Sequence, residues 1–138
     1  MTIVITSGYY NPLHVGHLEC LCRAKELGNY HMAIVNTDEQ VQLKGARRFM
    51  SENDRLEIIR ALKCVDVARL SLDKDLTQCE TLKWVRREWR QCELIFAKGG
   101  DRGANEIPEA AICRELDIKI VDGLGAKIRA SSEMLKSL

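Results

Sequence analysis

Short apolar runs and helix-period stripes take turns along this chain. Residues 2–7, around the apolar run Ile3-Val4-Ile5, read as a buried strand, and 16–27 predict a helix with Leu18, Leu21, Ala24 and Leu27 on one face. Gly28-Asn29 gives that helix a glycine-type stop, and Tyr30 to Val35 reads as a second strand. Asn36-Thr37-Asp38 opens a short helical piece running to about Leu43, followed by a polar, basic loop from Lys44 to Ser51. Ser51 with Asp54 three residues on has the spacing of an N-terminal cap, for a helix carrying Leu56, Ile59 and Leu62. A third strand is expected over 65–72, and a helix over 76–89 with Leu82, Val85 and Trp89 on one face. Further on come a fourth strand over 93–97, a helix over 107–116 with Pro108 in its first turn, and a fifth strand over 118–121. Ser131 begins a terminal helix. Strands alternating with helices at this spacing imply an α/β fold whose mostly parallel sheet is covered on both faces.

Composition narrows the class without naming a function. A length of 138 residues fits one domain with a proper core, 1–138, and no linker, repeat or low-complexity segment divides it. Lys and Arg number 21 against 20 Asp and Glu, so no global field points to nucleic acid or to a membrane surface. No apolar stretch approaches spanning length, and the first residues lack a basic flank or cleavage site, which leads us to expect a cytoplasmic protein. Six cysteines at 20, 22, 64, 79, 92 and 113 form no C-x-x-C pair and mostly sit inside apolar patterns, so we read them as structural thiols.

The chemistry concentrates where strands end. Tyr9-Tyr10-Asn11-Pro12-Leu13-His14-Val15-Gly16-His17 follows the first strand and leads into the first helix. It sets two imidazoles beside backbone N–H groups expected to be free at the helix start, an arrangement suited to a phosphate chain. In open parallel sheets the ligand lies beyond the carboxyl ends of the strands. Segments 8–17, 36–48 and 98–103 all follow strand ends, which predicts one shared cleft. The His14/His17 pair has no third and fourth ligand of clear spacing, so a zinc site is not expected. Lys44, Arg47 and Arg48 read either as a solvated loop or as phosphate ligands, and Trp84 and Trp89 as core or dimer surface. His31 reads as structural.

The stretch Gly8 to His17 resembles the Gly-Thr-Phe-Asp-x-x-His-x-Gly-His signature of the cytidylyltransferase-like nucleotidyltransferases, with Tyr10 in the aromatic position and Asn11 in place of Asp. Arg23-Ala24-Lys25-x-Leu27-Gly28, Asn36-Thr37-Asp38-Glu39 and Val65-Asp66-Val67 continue the resemblance. Lys98-Gly99-Gly100-Asp101 is similar to the version in ADP-heptose-forming adenylyltransferases, whereas residues 8–66 are collinear with glycerol-phosphate cytidylyltransferases. Two positions depart from the pattern: Ala130 replaces the first hydroxyl of the last motif, and Gly125 stands where the glycerol-phosphate enzymes carry an arginine.

The resemblance implies a Rossmann-like three-layer fold with sheet order 3-2-1-4-5, and transfer of AMP or CMP from ATP or CTP to a phosphorylated sugar or polyol, releasing pyrophosphate. A phosphate nucleophile is already ionised, so the task is positioning and charge stabilisation, not base catalysis. His14, His17 and Lys44 take the catalytic roles. Gly8, Tyr9, Tyr10, His14, Gly16, His17, Lys98, Gly99, Asp101, Ser131 and Ser132 are expected on the nucleotide, and Lys44 with Arg55 on the acceptor. Mg²⁺ is expected to arrive with the triphosphate, held mainly by phosphates and water. A homodimer is also implied. The alternative is a nucleotide-binding module without turnover, or a subunit of a larger enzyme.

Overall fold

A computed structural model describes residues 1–99 and 107–124. Five strands build one sheet: β1 (Thr2–Gly8), β2 (Tyr30–Val35), β3 (Val67–Leu70), β4 (Glu93–Gly99) and β5 (Ile118–Leu124). Their order is β3-β2-β1-β4-β5, and every adjacent pair is parallel. The helices are α1 (Val15–Lys25), α2 (Asp38–Lys44), α3 (Glu52–Arg60), α4 (Cys79–Glu88) and α5 (Ala110–Glu115). This is the α/β Rossmann-like architecture and strand order expected from the sequence.

Both faces of the sheet are buried at its centre because β1, β2 and β4 carry consecutive apolar residues, not only alternate ones. Ile3, Ile5, Met32, Ile34, Leu94 and Phe96 point to one side and pack against Leu82 and Val85 of α4 and Ala110 and Cys113 of α5. Ala33, Val35 and Ala68 point to the other, beneath Leu21 of α1 and Leu56 and Ile59 of α3. Val4, Ile95 and Ala97 lie under Ala24 and Leu27 on that same side. Trp84 and Trp89 pack partly buried on the α4 side, their rings in an edge contact 5.8 Å apart. All six cysteines are unbridged thiols.

Several boundaries moved for local reasons. The helix expected over 16–27 stops at Lys25, and Gly28 does not serve as a left-handed cap. Its role is spatial: a Cβ there would stand 2.8 Å from the Thr2 carbonyl oxygen and from Val4 Cγ2. The third strand shortens to four residues, Val67–Leu70, while the fourth and fifth extend to Gly99 and Leu124. The 107–116 helix begins only at Ala110, and 76–89 only at Cys79. Ser51 does cap α3, its Oγ accepting from the Asp54 N–H at 3.2 Å. His31 is fully buried, bonded to Thr6 Oγ1 at 2.9 Å and the Cys64 carbonyl at 2.7 Å, the structural role expected of it.

Candidate active site

The chain leaves β1 toward α1 on one face and returns through α4 on the other, so the carboxyl ends of β1 and β4 flank the switch point where such sheets hold ligands. His14 stands there as the N-cap of α1, with extended backbone at φ −135° and ψ 175°. Its Nδ1 accepts hydrogen bonds from the N–H groups of Gly16 at 3.1 Å and His17 at 3.4 Å. His17 reciprocates, its Nδ1 accepting the His14 N–H at 3.2 Å. The two rings stack, with centroids 3.6 Å apart and planes 23° from parallel. This is a capping box built from two imidazoles in place of the usual Ser/Thr and Glu.

The box settles the protonation of both rings. A nitrogen that accepts a backbone N–H carries no proton, so each neutral ring carries its proton on Nε2 and is a donor there. Burial lowers the pKa of His14, and burial together with the neighbouring His14 brings His17 down to about 4. Near neutral pH the pair is therefore two uncharged donors. It also bears on one expectation: the Gly16 and His17 N–H groups are not free at the helix start but are engaged by His14 Nδ1. The spacing i, i+3 was the available signal for this, missed because histidine is an uncommon cap.

Tyr10 holds His17 in place. It adopts a left-handed φ of 52°, is buried to 4 % exposure, and meets the His17 ring edge-on at 5.3 Å. Burial pushes its phenol pKa up, and its hydroxyl bonds to Thr6. The Tyr10 ring is turned into the protein against His17 and is not part of the open surface. Gly8 makes room for it, since a Cβ at Gly8 would lie 2.5 Å from Tyr10 Cζ.

Lys44, the last residue of α2, places Nζ 4.2 Å over the ring of Tyr9, so the lysine reaches the His-bearing segment. Lys98 and Gly99 end β4, and Gly99 packs beside Cys20, one turn beyond His17 on α1: a Cβ there would be 3.2 Å from Cys20 Sγ. Asp101, Ser131 and Ser132 lie outside the described residues.

Arg55, read on the acceptor or as the partner of a helix carboxylate, is fully buried. Its guanidinium donates to the carbonyls of Tyr9 at 2.8 Å, Asn36 at 2.6 Å and Met50 at 3.2 Å, and to Asp38 Oδ1 at 2.8 Å. The side chain is a tether joining the ends of β1 and β2 to α2 and the basic loop. Although burial works against it, hydrogen bonds from Arg55, the Glu52 backbone and Arg48 hold the Asp38 carboxyl below the usual carboxylate range. Arg48 meets Asp38 at 3.0 Å. A cavity of about 430 Å³ opens between Asp38, Val41, Ala46 and Arg48, with neither imidazole in its wall.

A parallel α/β sheet carrying paired neutral imidazole donors on a helix start at its switch point defines a nucleotide-handling Rossmann-like domain. The chain belongs to the cytidylyltransferase-like family, whose model matches residues 5–122. It is 35% identical over 115 residues to the D-beta-D-heptose 1-phosphate adenylyltransferase of Bordetella bronchiseptica, covering 81% of this chain and 66% of that one. It is 33% identical over 129 residues to the bifunctional protein HldE of Syntrophotalea carbinolica, covering 92% of this chain but 23% of the relative. The chain thus spans about a quarter of the length of the bifunctional relatives it matches. A solved lipopolysaccharide core biosynthesis protein from Thermoplasma volcanium superposes with a TM-score of 0.69 at 28% identity, covering 88% of this chain and 95% of that one.

Proposed function

We propose that the chain is an adenylyltransferase unit that moves AMP from ATP onto the phosphate of a sugar 1-phosphate, with a heptose 1-phosphate the first candidate. An oxygen of the acceptor phosphate bonds to the α-phosphorus, the bond from that phosphorus to the β-phosphate bridging oxygen breaks, and pyrophosphate leaves. The observation that carries this reading is the reciprocal imidazole cap, which presents two uncharged N–H donors on one rigid helix end. Such donors, fixed before the reaction, are suited to charge building on non-bridging and leaving oxygens. The names of the relatives favour ATP over CTP and a heptose phosphate over a polyol phosphate.

In this reading His14 and His17 donate from Nε2, and Lys44 spans triphosphate and acceptor. The backbone of Gly8 and Tyr9, with Lys98 and Gly99, borders the nucleotide. Asp101, Ser131 and Ser132 join it through the sequence motifs alone. Among the described residues no three His, Cys, Asp or Glu come together as a metal-binding group. In this reading Mg²⁺ enters with ATP, held mainly by phosphates and water. The reading also includes a homodimer, to be checked by sedimentation.

The test is a matrix of ATP and CTP against heptose 1-phosphate, hexose 1-phosphates and glycerol 3-phosphate, scored by pyrophosphate and by the nucleotide-linked product. We expect turnover with ATP and heptose 1-phosphate. Turnover confined to CTP with glycerol 3-phosphate would replace this reading, and no turnover with any pair would leave a nucleotide-binding module.

A further inference from the structure

The loop between Gly45 and Met50 is held from the α2 and α3 side by the Arg48–Asp38 ion pair and by Arg55 on the Met50 carbonyl. Positions 45–49 are all exposed, Phe49 to 63%, and α2 ends just before them at Lys44. One side chain from the His-bearing segment grips it three times. Asn11 Oδ1 accepts the N–H of Phe49 at 2.8 Å and of Met50 at 3.3 Å, and Asn11 Nδ2 donates to the Arg47 carbonyl at 2.7 Å. Only an amide satisfies this set. A carboxylate could accept the two N–H groups but would face the Arg47 carbonyl with a second acceptor. Two residues earlier, Tyr9 lies under Lys44 Nζ. The segment that bears the catalytic histidines therefore fixes both flanks of the lysine loop.

We propose that Asn11 is a positioning residue for the transfer reaction: through the 47–50 backbone it holds Lys44 in register with His14, three residues along its own segment. This rests on the role given to Lys44 above. With Asn11 intact, loop and histidines move as one unit and Lys44 meets the phosphates without a separate ordering step. With the clamp cut, the lysine still exists but is presented at variable distance, and misplacement of about 1 Å costs on the order of a hundredfold in rate.

A double-mutant cycle with Lys44 tests it. Asn11→Ala should lower kcat/KM on the order of a hundredfold in the wild-type background, and by less than about threefold in Lys44→Ala. Asn11→Asp, which keeps two of the three bonds, should fall between. Trypsin cleavage at Arg47 and Arg48, followed by mass spectrometry, reads the clamp without turnover, and should speed up about tenfold in Asn11→Ala. Equal losses in both Lys44 backgrounds, or unchanged trypsin cleavage, would overturn the proposal. If the wild-type protein turns over none of the substrate pairs, the functional reading fails, while the trypsin arm still decides whether Asn11 holds the loop.

Discussion

His14 performs two tasks that one pair of substitutions separates. Its Nδ1 caps α1 by accepting from Gly16 and His17, and in the proposed reaction its Nε2 donates to substrate. Asparagine places Oδ1 where histidine has Nδ1 and is among the best N-cap residues, so His14→Asn keeps the cap and deletes the donor. His14→Ala deletes both. The cap is worth about 1 kcal/mol, which in a domain of this size lowers Tm by roughly 3 °C. The donor, if it stabilises transition-state charge, is worth about 3 kcal/mol, or roughly a hundredfold in kcat. The assay pairs thermal unfolding with pyrophosphate release at saturating ATP and acceptor. We expect both variants to lose on the order of a hundredfold in kcat, with only His14→Ala losing stability. The reasoning is refuted if His14→Asn stays within about tenfold of wild-type kcat, or if it melts as early as His14→Ala.

Three other outcomes follow from the same geometry. His17 is lowered to about 4 in the folded protein, below the ordinary histidine value near 6.5. Between those values the unfolded chain binds a proton that the folded one refuses, so stability should fall as pH drops from 6.5 toward 4. An NMR titration of His17 centred near 6.5 would contradict this. Arg55→Met leaves Asp38 and three carbonyls without their buried partner and should cost about 3 kcal/mol in urea unfolding. Should it instead lose only acceptor affinity at full stability, the tether role is wrong. Gly8→Ala drives a Cβ into the Tyr10 ring and should cost about 2 kcal/mol while loosening His17. Wild-type Tm and kcat together would dismiss that contact.

The legible part of the fold was the part written in local order. Runs such as Ile3-Val4-Ile5 and Leu94-Ile95-Phe96 are apolar at every position, which only a strand buried on both faces requires, and they alternate with helical stripes. The His14/His17 spacing marked the helix start for the same reason, since residues three apart meet on one turn. Arg55 stayed open between an acceptor and a helix carboxylate because a lone arginine beside a basic loop looks the same whether it faces solvent or four oxygens from separate elements. Tyr10 was legible only as the aromatic position of a motif; that its ring folds over Gly8 needed the structure.

By itself the sequence determined the alternation of elements, the parallel sheet and the segment that carries the imidazoles, because periodicity and short-range spacing act within one strand or one turn. Tertiary structure alone decided which nitrogen of each ring bears the proton, that Arg55 is a tether, and that Asn11 grips a loop some forty residues away. Those outcomes depend on which donors and acceptors the packed sheet brings within 3 Å or so of each other, and a hydrogen bond has no reach along the chain by which order alone could announce it.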